Sequence, residues 1–134
     1  MVTSPNHPGT YPANIDKIEQ IIVDTGKILR LEFSAFAVYV GGTITTCPTD
    51  FVRITDGDVT TLMNNSCGYS DRNSSSSLYF QPPIITSFTN TVEIYFHTNE
   101  YYARSGWSLE WTALAAGGCL TSYCLNFIAH QMIC

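Results

Sequence analysis

Apolar and polar residues alternate in short runs along this chain, the two-residue period of a strand with one face on a core and the other in water. Leu29, Leu31 and Phe33 alternate with Arg30, Glu32 and Ser34, and Phe51 to Thr55 repeats the pattern. The clearest runs come later: Val92, Ile94 and Phe96 alternate with Glu93, Tyr95 and His97, and Trp107, Leu109 and Trp111 alternate with Ser108, Glu110 and Thr112. The alternation assigns Leu31, Phe33, Val92, Ile94, Phe96, Trp107, Leu109 and Trp111 to a shared core. Turn chemistry separates the runs, at Asp24-Thr25-Gly26, Gly41-Gly42, Asp56-Gly57-Asp58 and the polar stretch Ser70 to Ser77. Short strands punctuated in this way predict an all-β sandwich.

Two segments fall outside the pattern. Ser4 to Pro12 holds three prolines and a glycine, which forbids a helix and predicts an extended arm. At the other end, residues 115–134 are apolar without alternating and carry Cys119, Cys124 and Cys134. A domain boundary is expected near Leu114 to Gly118, leaving a Cys-rich tail of different character.

Composition narrows the picture. With 134 residues, 45% of them hydrophobic and 13% charged, the chain is one domain's worth of protein with material for a packed interior. A net charge of -5 with six Lys plus Arg supplies no basic stripe for phosphates, so nucleic acid and anionic membrane are excluded as partners. No run has the apolar length of a transmembrane segment, and no signal-peptide pattern precedes the domain, so the chain is expected to be a piece of a longer protein. Five cysteines cannot all pair within one chain.

Six blocks, in order, resemble the CUB domain family: the arm SPNHPGTYPANID, the strand LRLEFSAFAV, the block CPTDFVRITDG, NNSCGYS, VEIYFHTN and GWSLEW. The resemblance covers residues 3–114. It implies an antiparallel jelly-roll β-sandwich, of the kind also found in spermadhesins, that binds extracellular partners and does no catalysis. It further implies a disulfide between Cys47 and Cys67, against the alternative of two buried free thiols. Where the family has a first cysteine and then a tryptophan, this chain has Lys17 and Glu19, so the N-terminal disulfide is missing and the arm is expected to be tethered only by packing and to fray.

Many members of the family bind calcium through one Glu and two Asp. The matching positions here are Tyr39, Asp50 and Asn99, one carboxylate of three, with Glu100 as a conceivable assistant. Calcium wants several anionic oxygens, so the site reads as degenerate and no cofactor is expected. Asn64-Asn65-Ser66 and Asn73-Ser74-Ser75 are sequons in polar, loop-like sequence, giving Asn64 and Asn73 as glycosylation candidates in a secretory protein.

Catalytic signals are weak. The histidines are His7, His97 and His130, with no Gly-x-Ser-x-Gly or His-Glu-x-x-His, and His97 reads as a surface histidine on a sheet. Cys119, Cys124, His130 and Cys134 fit no zinc spacing, and a truncated or non-native tail is the simpler reading. Three functions stay open: a module of a larger secreted or membrane-anchored protein that binds a protein or glycan ligand, a standalone spermadhesin-like carbohydrate binder, or an accessory domain of an astacin-like or trypsin-like protease.

Overall fold

The computed structural model describes residues 1–116, all in strands, turns and loops. Among the described residues nine strands form: β1 (Val2–Thr3), β2 (Asp16–Ile22), β3 (Lys27–Val38), β4 (Phe51–Asp56), β5 (Thr61–Ser66), β6 (Gly68–Tyr69), β7 (Ile85–Thr86), β8 (Thr91–His97) and β9 (Gly106–Ala115). One sheet runs β1-β9-β3-β6, with β7 pairing the other end of β3, and the second runs β2-β8-β4-β5. All of these ladders are antiparallel, and the two sheets make the expected sandwich. The Cys-rich tail from residue 117 onward, with Cys119, Cys124, His130 and Cys134, lies outside the described residues.

The core follows from the alternation. Leu29, Leu31 and Phe33 of β3 face Val92, Ile94 and Phe96 of β8, all 4% exposed or less. Each such side chain stabilises by roughly 1.5–3 kcal/mol relative to exposure. Trp107 closes the centre, edge-on to Phe33 at 6.0 Å and to Phe96 at 5.8 Å. Between Phe33 and Ala35 the β3–β9 register slips by one residue, a bulge at Ser34. The extra residue resets the phase, so that Phe36 and Val38 also point inward.

Trp111 departs from the expected core. It pairs with Leu31 and shares its face, yet it is 38% exposed. β1 accompanies β9 only at Val2–Leu109 and Thr3–Ser108, so beyond Leu109 the strand loses its outer neighbour and the indole sits at an open edge.

The arm is also held more firmly than expected. β1 adds a strand to β9, the Ser4 N–H donates to the Trp107 carbonyl at 2.9 Å, and the Trp107 N–H donates to Ser4 Oγ at 2.9 Å. Gly106, at φ +83, permits this approach, because a Cβ there would collide with Ser4 Oγ. Backbone hydrogen bonding replaces the tether that a first disulfide would give.

Candidate functional site

Tyr39, Asp50 and Asn99 do converge at one end of the sandwich, but two residues that the sequence did not single out organise them. β3 ends at Val38, so Tyr39 begins the loop that follows; Asp50 precedes β4, and Asn99 follows β8. Asp50 is fully buried. Its Oδ1 accepts the Asn99 N–H at 3.0 Å and its Oδ2 accepts the Tyr11 hydroxyl at 2.7 Å. The same hydroxyl accepts the Tyr39 N–H at 2.9 Å. Tyr11, from the arm, thus bridges the end of β3 to the loop before β4.

Burial pushes the Asp50 carboxyl above its ordinary range, while the Asn99 N–H, the Tyr11 hydroxyl and the charges of His97 and Arg104 pull the other way. Burial is also the main reason that the Tyr11 hydroxyl is driven far above its usual value, with Asp50 adding to it. Each Asp50 oxygen accepts one hydrogen bond within the fold.

The remaining positions do not fit calcium. Asn99 Oδ1 accepts the Tyr101 N–H at 3.0 Å. The Tyr39 ring packs on Tyr102 at 5.2 Å and carries the Arg104 guanidinium 5.0 Å from its centroid. A hard dication needs a cluster of anionic oxygens, whereas a resident cation and an aromatic ring stand at this end. Glu100 is exposed. Among the described residues no three His, Cys, Asp or Glu side chains form a metal-holding group.

The aromatic contacts continue away from Asp50. Arg104 also approaches the Tyr69 ring, at 6.0 Å, and Arg72 lies 4.4 Å above that ring. Arg72, Tyr69, Arg104 and Tyr39 therefore form a ladder of alternating cations and rings that ends on Tyr102, which like its neighbour in sequence Tyr101 is 65% exposed. Tyrosine and arginine are the residue types enriched where proteins make their strongest contacts.

The other sequence candidates fall elsewhere. Cys47 and Cys67 form a disulfide, with Cα atoms 5.6 Å apart, that pins the loop after β3 to the β5–β6 junction. Asn73 lies in a turn, its Oδ1 accepting from Ser75. Asn64, expected in a loop, lies instead within β5, where a register slip sets Asn64 and Asn65 opposite the single residue Arg53 and leaves both exposed. The polar composition had concealed a bulged strand.

His97, on the outer face of β8, stacks on Phe51 at 5.2 Å and pairs with Asp16 at 2.7 Å. Hydrogen bonds from Tyr95 and His97 hold the Asp16 carboxyl below its usual range. His7 bonds the Ser105 carbonyl at 2.8 Å. Neither histidine is hydrogen-bonded to a hydroxyl or thiol nucleophile.

A family model for the CUB domain matches residues 1–111. The chain is similar to cubilin from Rattus norvegicus, 30% identical over 95% of this chain, and to cubilin from Homo sapiens, 32% identical over 95%. It spans about 3% of the length of these relatives. Among solved structures it superposes on a calcium-bound second CUB domain of MASP-1 with a TM-score of 0.68, at 22% identity, covering 82% of this chain and 88% of that one. A human MASP-1/3 CUB1-EGF-CUB2 fragment gives 0.71 at 20% identity, over 87% of this chain and 42% of that one.

Proposed function

Since this chain belongs to the CUB domain family, we propose that residues 3–114 are a non-catalytic extracellular binding module that holds a protein ligand at the loop end around Asp50 and does so without calcium. One observation carries the reading: of the three matching positions only Asp50 supplies a carboxylate, and Tyr39 carries the Arg104 guanidinium on its ring where a second would stand. Where a calcium ion would cross-link the arm, the β3 loop and the β8 loop, a hydroxyl and a backbone amide do so instead. The small share of the cubilin relatives that the chain spans favours one module in a longer secreted or membrane-anchored protein. Asn64 and Asn73, both exposed, are its proposed glycan acceptors.

Calorimetric titration with calcium tests the reading. No binding heat is expected, and millimolar calcium should leave the melting temperature unmoved, because a ligand stabilises only as its concentration exceeds its dissociation constant. A single site with a dissociation constant of about 1 mM or tighter, the range of extracellular calcium modules, overturns it.

A further inference from the structure

Two of the chain's six basic side chains, Arg72 and Arg104, are held on tyrosine faces at the Asp50 end. Among the described residues the ion pairs are Lys17 with Glu19, Arg30 with Glu32 and His97 with Asp16, so neither of these arginines has a carboxylate within 4.0 Å. Arg104 donates one N–H to the Ala103 carbonyl at 2.8 Å, which leaves most of its fork unused. The neighbouring carboxylates make no direct pair with these charges. Asp50 is buried with its oxygens occupied, while Asp71 and Glu100 are exposed and make no pair with either arginine.

A guanidinium stacked on an aromatic ring has already lost much of its rotamer freedom, so it captures a planar anion at lower entropic cost than a free side chain. Carboxylates match that fork bidentately. The exposed Tyr101 and Tyr102 rings supply apolar area beside it, the composition of a contact surface for polypeptide.

Resting on the calcium-free reading above, we propose that the Arg72–Tyr69–Arg104–Tyr39–Tyr102 ladder binds an acidic segment of a partner protein, with an Asp or Glu carboxylate on the guanidinium of Arg104 or Arg72. The occupant is fixed by charge complementarity. In a chain of net charge -5, these two guanidiniums have no carboxylate within 4.0 Å, so a ligand carboxylate gains a direct pair here that a ligand lysine does not.

The experiment is a calorimetric titration of the full chain with hexaglutamate, hexalysine and sialyllactose at low salt, with no calcium added. Hexaglutamate should bind saturably and weaken with added salt. Arg104→Ala and Arg72→Ala should each cost about tenfold in affinity, the loss of one charge-assisted pair. Arg104→Lys, which keeps the charge but not the fork, should fall between Arg104→Ala and the original. The same titration on Asn73→Gln protein shows whether a glycan beside Arg72 masks the surface. Preferential binding of hexalysine, of sialyllactose, or of nothing overturns the proposal, as does hexaglutamate binding indifferent to both arginines. Thermal unfolding of each variant separates a lost contact from a lost fold, and Arg72, exposed on its loop, supplies the arm in which the fold is safe. A calcium site found by the earlier titration sinks the calcium-free reading; failure of hexaglutamate alone sinks only the choice of partner.

Discussion

The Tyr11 hydroxyl joins three parts of the chain at once, accepting from the Tyr39 N–H and donating to Asp50. Tyr11→Phe keeps the ring, which packs edge-on to Phe96 at 5.1 Å, and removes only that oxygen. Two buried polar partners then go unsatisfied, which should cost about 1–3 kcal/mol in urea unfolding. The penalty should also depend on pH. Burial raises the Asp50 pKa above the unfolded value of 3.8, so its contribution to stability is fully present below 3.8 and is lost as pH rises through the folded value. The Tyr11 hydrogen bond favours the ionised form and softens that loss. The variant should therefore lose more stability at pH 7 than at pH 3; an equal loss at both would mean that the Tyr11 hydroxyl does not favour the ionised form of Asp50.

Strand edges carry the next level of control. β2 borders its sheet, and its inward positions opposite Phe96 and Ile94 hold Lys17 and Glu19, paired at 2.8 Å, in place of apolar residues. Charges on the inner side of an edge strand discourage a second chain from adding to it. Replacing Lys17 and Glu19 together by Val should leave the fold intact and produce dimers or larger species in sedimentation; a variant that stays monomeric would assign the charges no such role. The strands with clean alternation, β3, β4, β8 and β9, were legible in the sequence because β3, β4 and β8 each bury a full face and β9 buries its first half. The three two-residue strands are shorter than any readable period, and β5 hid behind Asn64 and Asn65 at its bulge. The Ser34 bulge was visible after all, as the gap of two residues between Phe33 and Phe36, but alternation counted from either side alone passes over it. At the candidate site, Tyr39, Asp50 and Asn99 were legible as matches to a family pattern. Tyr11 and Arg104 were not, because no local pattern shows which distant side chains fold onto Asp50.

At the scale of the molecule, the Asp50 end is where the arm and the loops following β3 and β8 meet, and what occupies it bears on global unfolding. Two ways of closing that end compete: an ion held by carboxylates, or a hydrogen-bonded bridge beside an arginine. Combining Tyr39→Glu with Asn99→Asp returns the two missing carboxylates but leaves Arg104 in place. Its guanidinium, now 5.0 Å from the Tyr39 ring, would pair with the carboxylate introduced there and offset the charge that calcium needs. The double variant should thus gain little calcium affinity, and adding Arg104→Ala should release it. If the triple variant binds well enough that calcium reaches 100 times its dissociation constant, linkage stabilises it by about 2.7 kcal/mol. For a domain of this size that is a rise of several degrees in melting temperature, readable by calorimetry with and without calcium. The triple variant should at the same time bind hexaglutamate at least about tenfold more weakly, since Arg104 has gone and two carboxylates have been added at the end that Arg72 shares. Tight calcium binding by the double variant would show that Arg104 does not guard this end, whereas a calcium response confined to the triple variant makes one arginine the switch between a metal-dependent and a metal-free surface on the same sandwich.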